Sequence, residues 1–289
     1  MRLRAGRREL ELGGPPLLMG VLNASPDSFS DAGDHPDLLA HAARLVGDGA
    51  RIIDVGGESA VGGRPPVPAD EERARVVGLV SELAAAHDVL ISVDTYKPEV
   101  AAAAIAAGAG MVNDVSGLRD ERLAEVCAET GAALVLMHTR VAPKGTLLRP
   151  DAYDDVVADV AGFLRERMEA VVGAGVAPEQ TVLDPGPDFA KTPAQTVAVL
   201  RRLDLLAALG RPLLLAVSRK DFLGAITGRG PRERGAATLA ALDYGVRAGA
   251  AILRVHDVAA AADFLAVRAV LSGERVLAPE EGLTPDRYP

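Results

Sequence analysis

A closed (β/α)8 barrel of the α/β class is the fold that the sequence predicts, and three observations support it. Short apolar runs alternate with longer Ala- and Leu-rich segments of helical periodicity, which is the pattern of repeated βα units. Eight such runs follow one another along the chain. Few polar residues interrupt them, as expected of parallel strands that are buried on both faces.

The predicted elements alternate in chain order. The strands are Leu17–Leu22, Arg51–Val55, Val89–Val93, Met111–Val112, Ala133–Met137, Thr181–Leu183, Leu213–Val217 and Ile252–Val255. The helices are Pro36–Asp48, Ala69–Ala86, Pro98–Ala107, Glu121–Glu129, Tyr153–Ala174, Ala194–Leu209, Asp221–Thr227 continuing past Arg232, and Ala259–Leu271. Segment 140–151 contains Pro and Gly, so we expect an extended βα loop there, where substrate contacts often lie.

The 289 residues fit one barrel domain, since this architecture commonly reaches such a length. Residues 1–16 are expected to form a short β-hairpin that closes the barrel floor, and residues 274–289 a tail. The alternative architecture is an open doubly wound sheet. It is disfavoured because the Gly-rich dinucleotide-binding turn is missing after the first apolar run.

Composition restricts the classes of function. A net charge of -9 provides no basic surface for nucleic acid or an anionic membrane. No stretch reaches the roughly 18 consecutive apolar residues of a membrane helix, and the basic first residues lead into no signal-peptide core. The single cysteine, Cys127, can form no intrachain disulfide and is expected to be core. These features predict a cytoplasmic protein that binds neither nucleic acid nor a membrane.

Polar residues follow every predicted strand. In a (β/α)8 barrel the functional groups collect at the C-terminal strand ends. The same residue types could instead cap helices, but that explanation suits single positions better than all eight together. In chain order these residues are Asn23, Gly56–Ser59, Asp94, Asn113 and Asp114, His138, Asp184, Ser218–Lys220, Arg254 and His256.

One group of these side chains suits a flat heterocycle. Asp94, Asn113, Asp184 and Lys220 combine hydrogen-bond donors and acceptors around one barrel mouth. The edge of a nitrogen-rich ring such as an amino-pyrimidinone would satisfy them.

A second group suits an anion. Arg254 and His256 alternate along the last strand and leave it on one face, at a position where such barrels often hold phosphate. Asn23 and Asp27 add hard oxygen atoms that suit Mg²⁺ together with diphosphate oxygens.

Ordered sequence blocks resemble those of the dihydropteroate synthase family. The likeness runs from about Leu17 to Leu271, and so many blocks in one order make a chance match implausible. The blocks are Met19–Asn23, Pro26–Asp31, Asp54–Ser59, Ser92–Lys97, Asn113–Gly117, Leu136–His138, Leu183–Gly186, Ser218–Lys220 and Arg254–Asp257.

The resemblance implies a homodimeric, Mg²⁺-dependent transferase of folate biosynthesis. Such an enzyme condenses 6-hydroxymethyl-7,8-dihydropterin diphosphate with p-aminobenzoate, giving 7,8-dihydropteroate and diphosphate. It uses neither a covalent enzyme intermediate nor a redox cofactor.

The resemblance also implies a role for particular residues. The pterin would be held by Asp94, Asn113, Met137, Asp184 and Lys220. The diphosphate would be held by Asn23, Arg64, Arg254 and His256, with Asn23 also on the metal. The aminobenzoate would be held by Phe29, Ser30, Phe189, Ser218 and Asp221. Lys220, Asp27 and Phe29 would be catalytic.

Departures from the family pattern cluster at the acceptor end. The usual Glu-Ser-Thr-Arg-Pro-Gly becomes Glu58–Pro65, in which the Thr is lost and Arg64 is displaced. In place of Gly-Phe-Gly-Lys, Asp188 and Ala190 flank Phe189. Asp221 stands near the expected aminobenzoate carboxylate and would repel it by roughly 1 kcal/mol, unless it caps the helix.

Several functions are compatible with these departures. The first is an active synthase whose altered acceptor loops weaken the binding of sulfonamides, which mimic aminobenzoate. The alternatives are a pterin-binding homologue with another amine acceptor or lost synthase activity, a non-catalytic binding protein, and a folate-dependent methyltransferase. Retention of Asn23, Arg254 and His256 for diphosphate disfavours the binding protein. The blocks Ser218–Lys220 and Arg254–His256 disfavour the methyltransferase, since methyl transfer needs no diphosphate site.

Overall fold

The computed structural model describes residues 1–24, 38–58 and 65–278. Eight parallel strands close into a barrel, in which β10 pairs with β3 and every other strand pairs with its neighbour in sequence. The predicted fold class is confirmed. The strands are β1 (Arg2–Ala5), β2 (Arg8–Glu11), β3 (Leu17–Asn23), β4 (Ile52–Gly56), β5 (Leu90–Asp94), β6 (Met111–Asp114), β7 (Ala133–Met137), β8 (Thr181–Asp184), β9 (Leu213–Leu215) and β10 (Ala250–Val255).

Helices cover the outside of the barrel, and an apolar layer of strand and helix side chains separates the two. Among the helices of the described residues, none is long and apolar enough to cross a membrane. The helices are α1 (Leu38–Gly47), α2 (Ala69–Ala86), α3 (Pro98–Ala106), α4 (Arg122–Thr130), α5 (Val156–Gly173), α6 (Pro193–Leu200), α7 (Leu203–Ala207), α8 (Asp221–Thr227), α9 (Gly235–Arg247) and α10 (Val258–Leu271).

The N-terminal hairpin of β1 and β2 closes the barrel floor, as predicted. Leu3 and Leu12 pack in one buried cluster with Met19, Ile52 and other side chains of the barrel interior. The Gly6 amide donates a 2.9 Å hydrogen bond to the carbonyl of Gly131, below α4. The barrel interior is therefore apolar at its lower end.

Two helix predictions were wrong. The single helix predicted over Ala194–Leu209 is divided between α6 and α7, and the break turns Leu203 and Leu206 into the core. The helix predicted to continue past Arg232 ends at Thr227, because Gly228 adopts a left-handed conformation and closes α8.

The fifth helix of the barrel begins later than predicted. The carboxylate of Asp155 accepts hydrogen bonds from the amides of Val157 (2.9 Å) and Ala158 (3.1 Å). This N-cap fixes the helix start at Val156 and leaves Tyr153 in the preceding loop.

Candidate active site

The parallel register brings the polar strand ends to neighbouring positions at the mouth. Asp94 pairs with Gly56 on one side and with Asn113 on the other, and Met137 pairs with Asp184. Because side chains alternate between the two faces of a strand, aligned positions share a face. Four of the five residues that the resemblance assigns to the pterin therefore line one region of the barrel, namely Asp94, Asn113, Met137 and Asp184.

Asp54 is the centre of a buried polar network that the sequence analysis missed. Its Oδ1 accepts from Ser92 Oγ (2.7 Å), and its Oδ2 accepts from Asn113 Nδ2 (3.0 Å) and Arg254 Nε (2.7 Å). Arg254 also donates to Asp94 Oδ2 at 2.9 Å. A carboxylate within an otherwise apolar strand was the available signal, since a buried charge requires a partner.

Asn113 presents an acceptor without a partner. Its amide nitrogen is bound to Asp54, while its buried Oδ1 accepts no hydrogen bond in the described structure. Buried polar atoms are rarely left in this state except where a ligand or water completes them. The Asn113 oxygen is therefore available to an N–H group at the edge of a bound ring.

The acidic groups of the mouth hold protons more tightly than free carboxyls. Burial, reinforced by the charge of Asp54, raises the pKa of Asp94 to about 7 against the opposing effect of Arg254. Burial also raises the pKa of Asp184, although the Gly186 amide donates to its Oδ1 at 2.7 Å and favours the ionised form. Shifted carboxyls in a concave site are typical of functional positions.

Lys220 lies over an aromatic ring. Its Nζ is 4.1 Å from the centroid of Phe189, which is a cation–π contact between the ends of β8 and β9. Burial lowers the pKa of Lys220, and the charges of Asp188 and Asp184 oppose that shift. The structure therefore brings together a residue predicted to bind pterin and one predicted to bind aminobenzoate.

Ser218 and His256 are hydrogen bonded to each other. The distance from Ser218 Oγ to His256 Nδ1 is 2.9 Å, and the His256 amide donates to the same oxygen at 3.3 Å. Their separate predicted roles, toward aminobenzoate and diphosphate, therefore belong to one connected pair.

Asp221 does not cap the helix that it begins. Its Oδ1 lies 2.9 Å from Arg234 Nη1, while 86% of its side chain is exposed. The same guanidinium nitrogen donates to the carbonyls of Arg219 and Lys220. Arg234 therefore compensates the charge that was expected to repel the acceptor.

Asp27, Phe29, Ser30 and Arg64 lie outside the described residues, so their roles remain predictions. Asn23 ends β3, with its Oδ1 beside Gly56. Within the described residues, no group of three His, Cys, Asp or Glu side chains is placed to hold a metal ion. Asn23 still fits Mg²⁺, which commonly takes one or two protein oxygens and completes its coordination with substrate phosphate and water.

Lys191 stabilises the loop after β8 through hydrogen bonds to its backbone. Its buried Nζ contacts His138 Nδ1 (2.7 Å) and the carbonyls of Gly186 (2.9 Å) and Phe189 (3.0 Å). His138 in turn contacts Asp159 through Nε2 at 2.8 Å. Lys191 and His138 thus support the backbone of the loop that carries Phe189.

Residues 19–256 match the sequence pattern of a protein family described as “Pterin binding enzyme”. The chain belongs to this family. Dihydropteroate synthase of Bacillus subtilis is 43% identical over 246 residues, which are 84% of this chain and 84% of that protein. The Xanthomonas albilineans dihydropteroate synthase with 4-aminobenzoic acid is 42% identical, with a TM-score of 0.85 over 94% of this chain and 99% of that one. The same enzyme in complex with 7,8-dihydropteroate is 41% identical, with a TM-score of 0.84 and the same coverage.

Proposed function

We propose that the chain is a dihydropteroate synthase, a transferase that condenses 6-hydroxymethyl-7,8-dihydropterin diphosphate with p-aminobenzoate. The observation that carries this proposal is the buried network of Asp54, Asn113, Asp94 and Arg254, with its unpartnered Asn113 oxygen. It provides the alternating acceptors and donors that the edge of a pterin requires. The relatives over nearly the whole chain are synthases of this kind.

The reaction replaces one bond with another at the pterin methylene. The carbon–oxygen bond to diphosphate breaks, a carbon–nitrogen bond to the aminobenzoate amine forms, and the amine loses a proton. Asn113 and Asp184 would orient the pterin, and Lys220 would stand beside it. Two N–H groups of Arg254 are engaged by Asp54 and Asp94, which leaves others of its five for the departing diphosphate.

We also propose Mg²⁺ as cofactor. Asn23 would supply one oxygen ligand to the ion, whose positive charge would stabilise the leaving diphosphate. A cytoplasmic homodimer is the proposed form. Exposed apolar side chains support the dimer, since Leu205 on α7 and Tyr244 on α9 are each 40% exposed or more.

The direct test is a diphosphate-release assay with the pterin diphosphate and Mg²⁺, with and without p-aminobenzoate. Release that requires p-aminobenzoate and is matched by dihydropteroate supports the proposal. Release with another amine alone indicates a different acceptor, whereas pterin binding without release indicates a binding protein.

Reduced sensitivity to sulfonamides is a further part of the proposal. The sequence departures at Asp221 and within segment 59–64 would affect the acceptor, but Arg234 pairs with Asp221 and weakens its repulsion of an anion. We therefore expect Asp221→Ser to lower the sulfonamide inhibition constant by roughly fivefold at most, the equivalent of about 1 kcal/mol. Tight inhibition of the unaltered enzyme would contradict the proposal.

A further inference from the structure

The loop between β8 and α6 contains two residues in a backbone conformation that favours glycine. Asp188 and Ala190 have φ angles of 63° and 53°, in the left-handed region where a β-carbon is disfavoured. Strained residues persist where surrounding contacts hold them. Such contacts are therefore expected around at least one of these side chains.

The carboxylate of Asp188 makes contacts to two helices. Its Oδ1 accepts from Thr196 Oγ1 in α6 at 3.0 Å, and its Oδ2 accepts from the Phe222 amide in α8 at 3.1 Å. The Asp188 amide also donates to Thr196 Oγ1 at 3.0 Å. Ala190 has only a methyl group, which can make no comparable hydrogen bonds.

These contacts connect the loop that carries Phe189 to the start of α8, next to Lys220. Phe189 follows Asp188 directly, and Lys220 precedes α8 by one residue. Lys220 Nζ lies 4.1 Å over the Phe189 ring. Asp188 thus ties the backbone beside the aromatic ring to the backbone beside the lysine.

We propose that Asp188 is a positioning residue, which holds Phe189 against Lys220 through its bond to the Phe222 amide and thereby sets the geometry of the acceptor subsite. This inference rests on the proposed synthase function. It assigns a role to a residue where the family pattern has glycine.

The chain offers a matched pair of variants to test this role. Asp188→Gly and Ala190→Gly each introduce glycine at a left-handed position, so both backbones tolerate the change. Only Asp188→Gly removes the carboxylate. Both are compared with the unaltered enzyme in kcat and in the KM for each substrate, after thermal melts show folding.

We expect Asp188→Gly to raise the KM for p-aminobenzoate by roughly tenfold, the scale of a lost hydrogen bond to a charged group. The KM for the pterin diphosphate should stay within about twofold of its original value, as should both KM values of Ala190→Gly. Asp188→Asn should keep the KM for p-aminobenzoate close to that of the unaltered enzyme, since the new amide oxygen can still accept from the Phe222 amide.

Equal KM values for the two glycine variants would overturn the inference, as would a parallel rise in both KM values of Asp188→Gly. If Asp188→Gly fails to fold, Asp188→Asn decides, and an Asn variant with a tenfold higher acceptor KM contradicts the positioning role. Failure of the proposed function is distinguished at once, because the unaltered enzyme then forms no dihydropteroate.

Discussion

Asp54 determines which way the Asn113 amide faces. A carboxylate can only accept hydrogen bonds, so the nitrogen of Asn113 must point to Asp54 and its oxygen must point away. The same carboxylate compensates the buried Arg254. Asp54 is not expected to touch the substrate. It nevertheless makes Asn113 present an acceptor to the bound ring, and it balances the positive charge of Arg254.

Asp54→Asn should destabilise the chain strongly. The introduced amide carries no negative charge, so Arg254 would keep only Asp94 as an anionic partner. The amide oxygen could still accept from Asn113 and Arg254 while the amide nitrogen donates to Ser92 Oγ, so the loss is mainly one of charge. We expect the free energy of unfolding, measured in urea, to fall by about 3 kcal/mol. Ser92→Ala, which removes one neutral hydrogen bond, serves as the control at about 1 kcal/mol, and equal losses would contradict the charge argument.

Asn113→Leu should separate stability from binding. The substitution removes the unpartnered oxygen, whose burial costs about 1–3 kcal/mol, but it also removes the hydrogen bond from Nδ2 to Asp54, which contributes about as much. We therefore expect a melting temperature close to the original together with at least tenfold weaker pterin binding by calorimetry. A variant that loses stability and keeps its affinity would show that the oxygen is satisfied without ligand.

The sequence predicted the site in part at the level of residues. Asp94, Asn113 and Asp184 were found because each directly follows an apolar run, and Lys220 because it lies three residues beyond one, where barrel geometry places the mouth. Asp54 was missed because it lies within a strand, and Arg234 because its partner Asp221 is distant in sequence and only folding brings them together.

Loop contacts at the mouth join elements that are far apart in sequence. Lys144, in the loop after β7, has a left-handed φ of 64°. Its Nζ lies 2.9 Å from Glu58 Oε1 and 3.0 Å from the Pro65 carbonyl oxygen. These two residues flank segment 59–64. Lys97 holds the other oxygen of Glu58 at 2.5 Å, so the base of this loop is fixed by two ammonium groups.

Lys144→Met should therefore lower stability through loss of the contact at the loop base. Glu58 is nearly buried and would keep only one ammonium partner, so we expect a loss of about 1–2 kcal/mol in the free energy of unfolding. Arg149→Met is the control in the same loop, because its pair with Asp151 is about 70% exposed and should contribute little. Equal losses of unfolding free energy in the two variants would show that the contact between Lys144 and Glu58 does not contribute to stability.

Elements with a strong local signal were predicted well. All eight barrel strands occupy the predicted runs, because burial on both faces produces an uninterrupted apolar pattern. The break between α6 and α7 was missed because Ala- and Leu-rich sequence favours a helix on both sides of it. There the gain from burying Leu203 and Leu206 decides the path of the chain, and this gain depends on tertiary packing.

Asp94 makes the stability of the whole molecule depend on pH. Its pKa is raised from 3.8 to about 7, mainly by burial and then by Asp54. Between these values the folded chain retains a proton that the unfolded chain has lost. The contribution of Asp94 to stability is thus complete below pH 3.8 and declines as pH rises toward 7.

The unfolding free energy of the unaltered chain, minus that of Asp94→Asn, should decrease between about pH 4.5 and 7 and become constant above. The slope should reach at most about 1.4 kcal/mol per pH unit, which corresponds to one proton. Urea titrations across this range measure it, and titrating groups common to both proteins cancel. A difference that is independent of pH would mean that Asp94 ionises normally.

The hairpin covers the floor of the barrel and apolar side chains fill the interior above it, so the polar site lies at the opposite end. Asn113 and Asp184 are almost fully buried, whereas His256 and Asp221 at the rim are exposed. We therefore expect a ligand bound to Asn113 and Asp184 to arrive before any molecule that covers it near the rim, and to leave only after that molecule has gone.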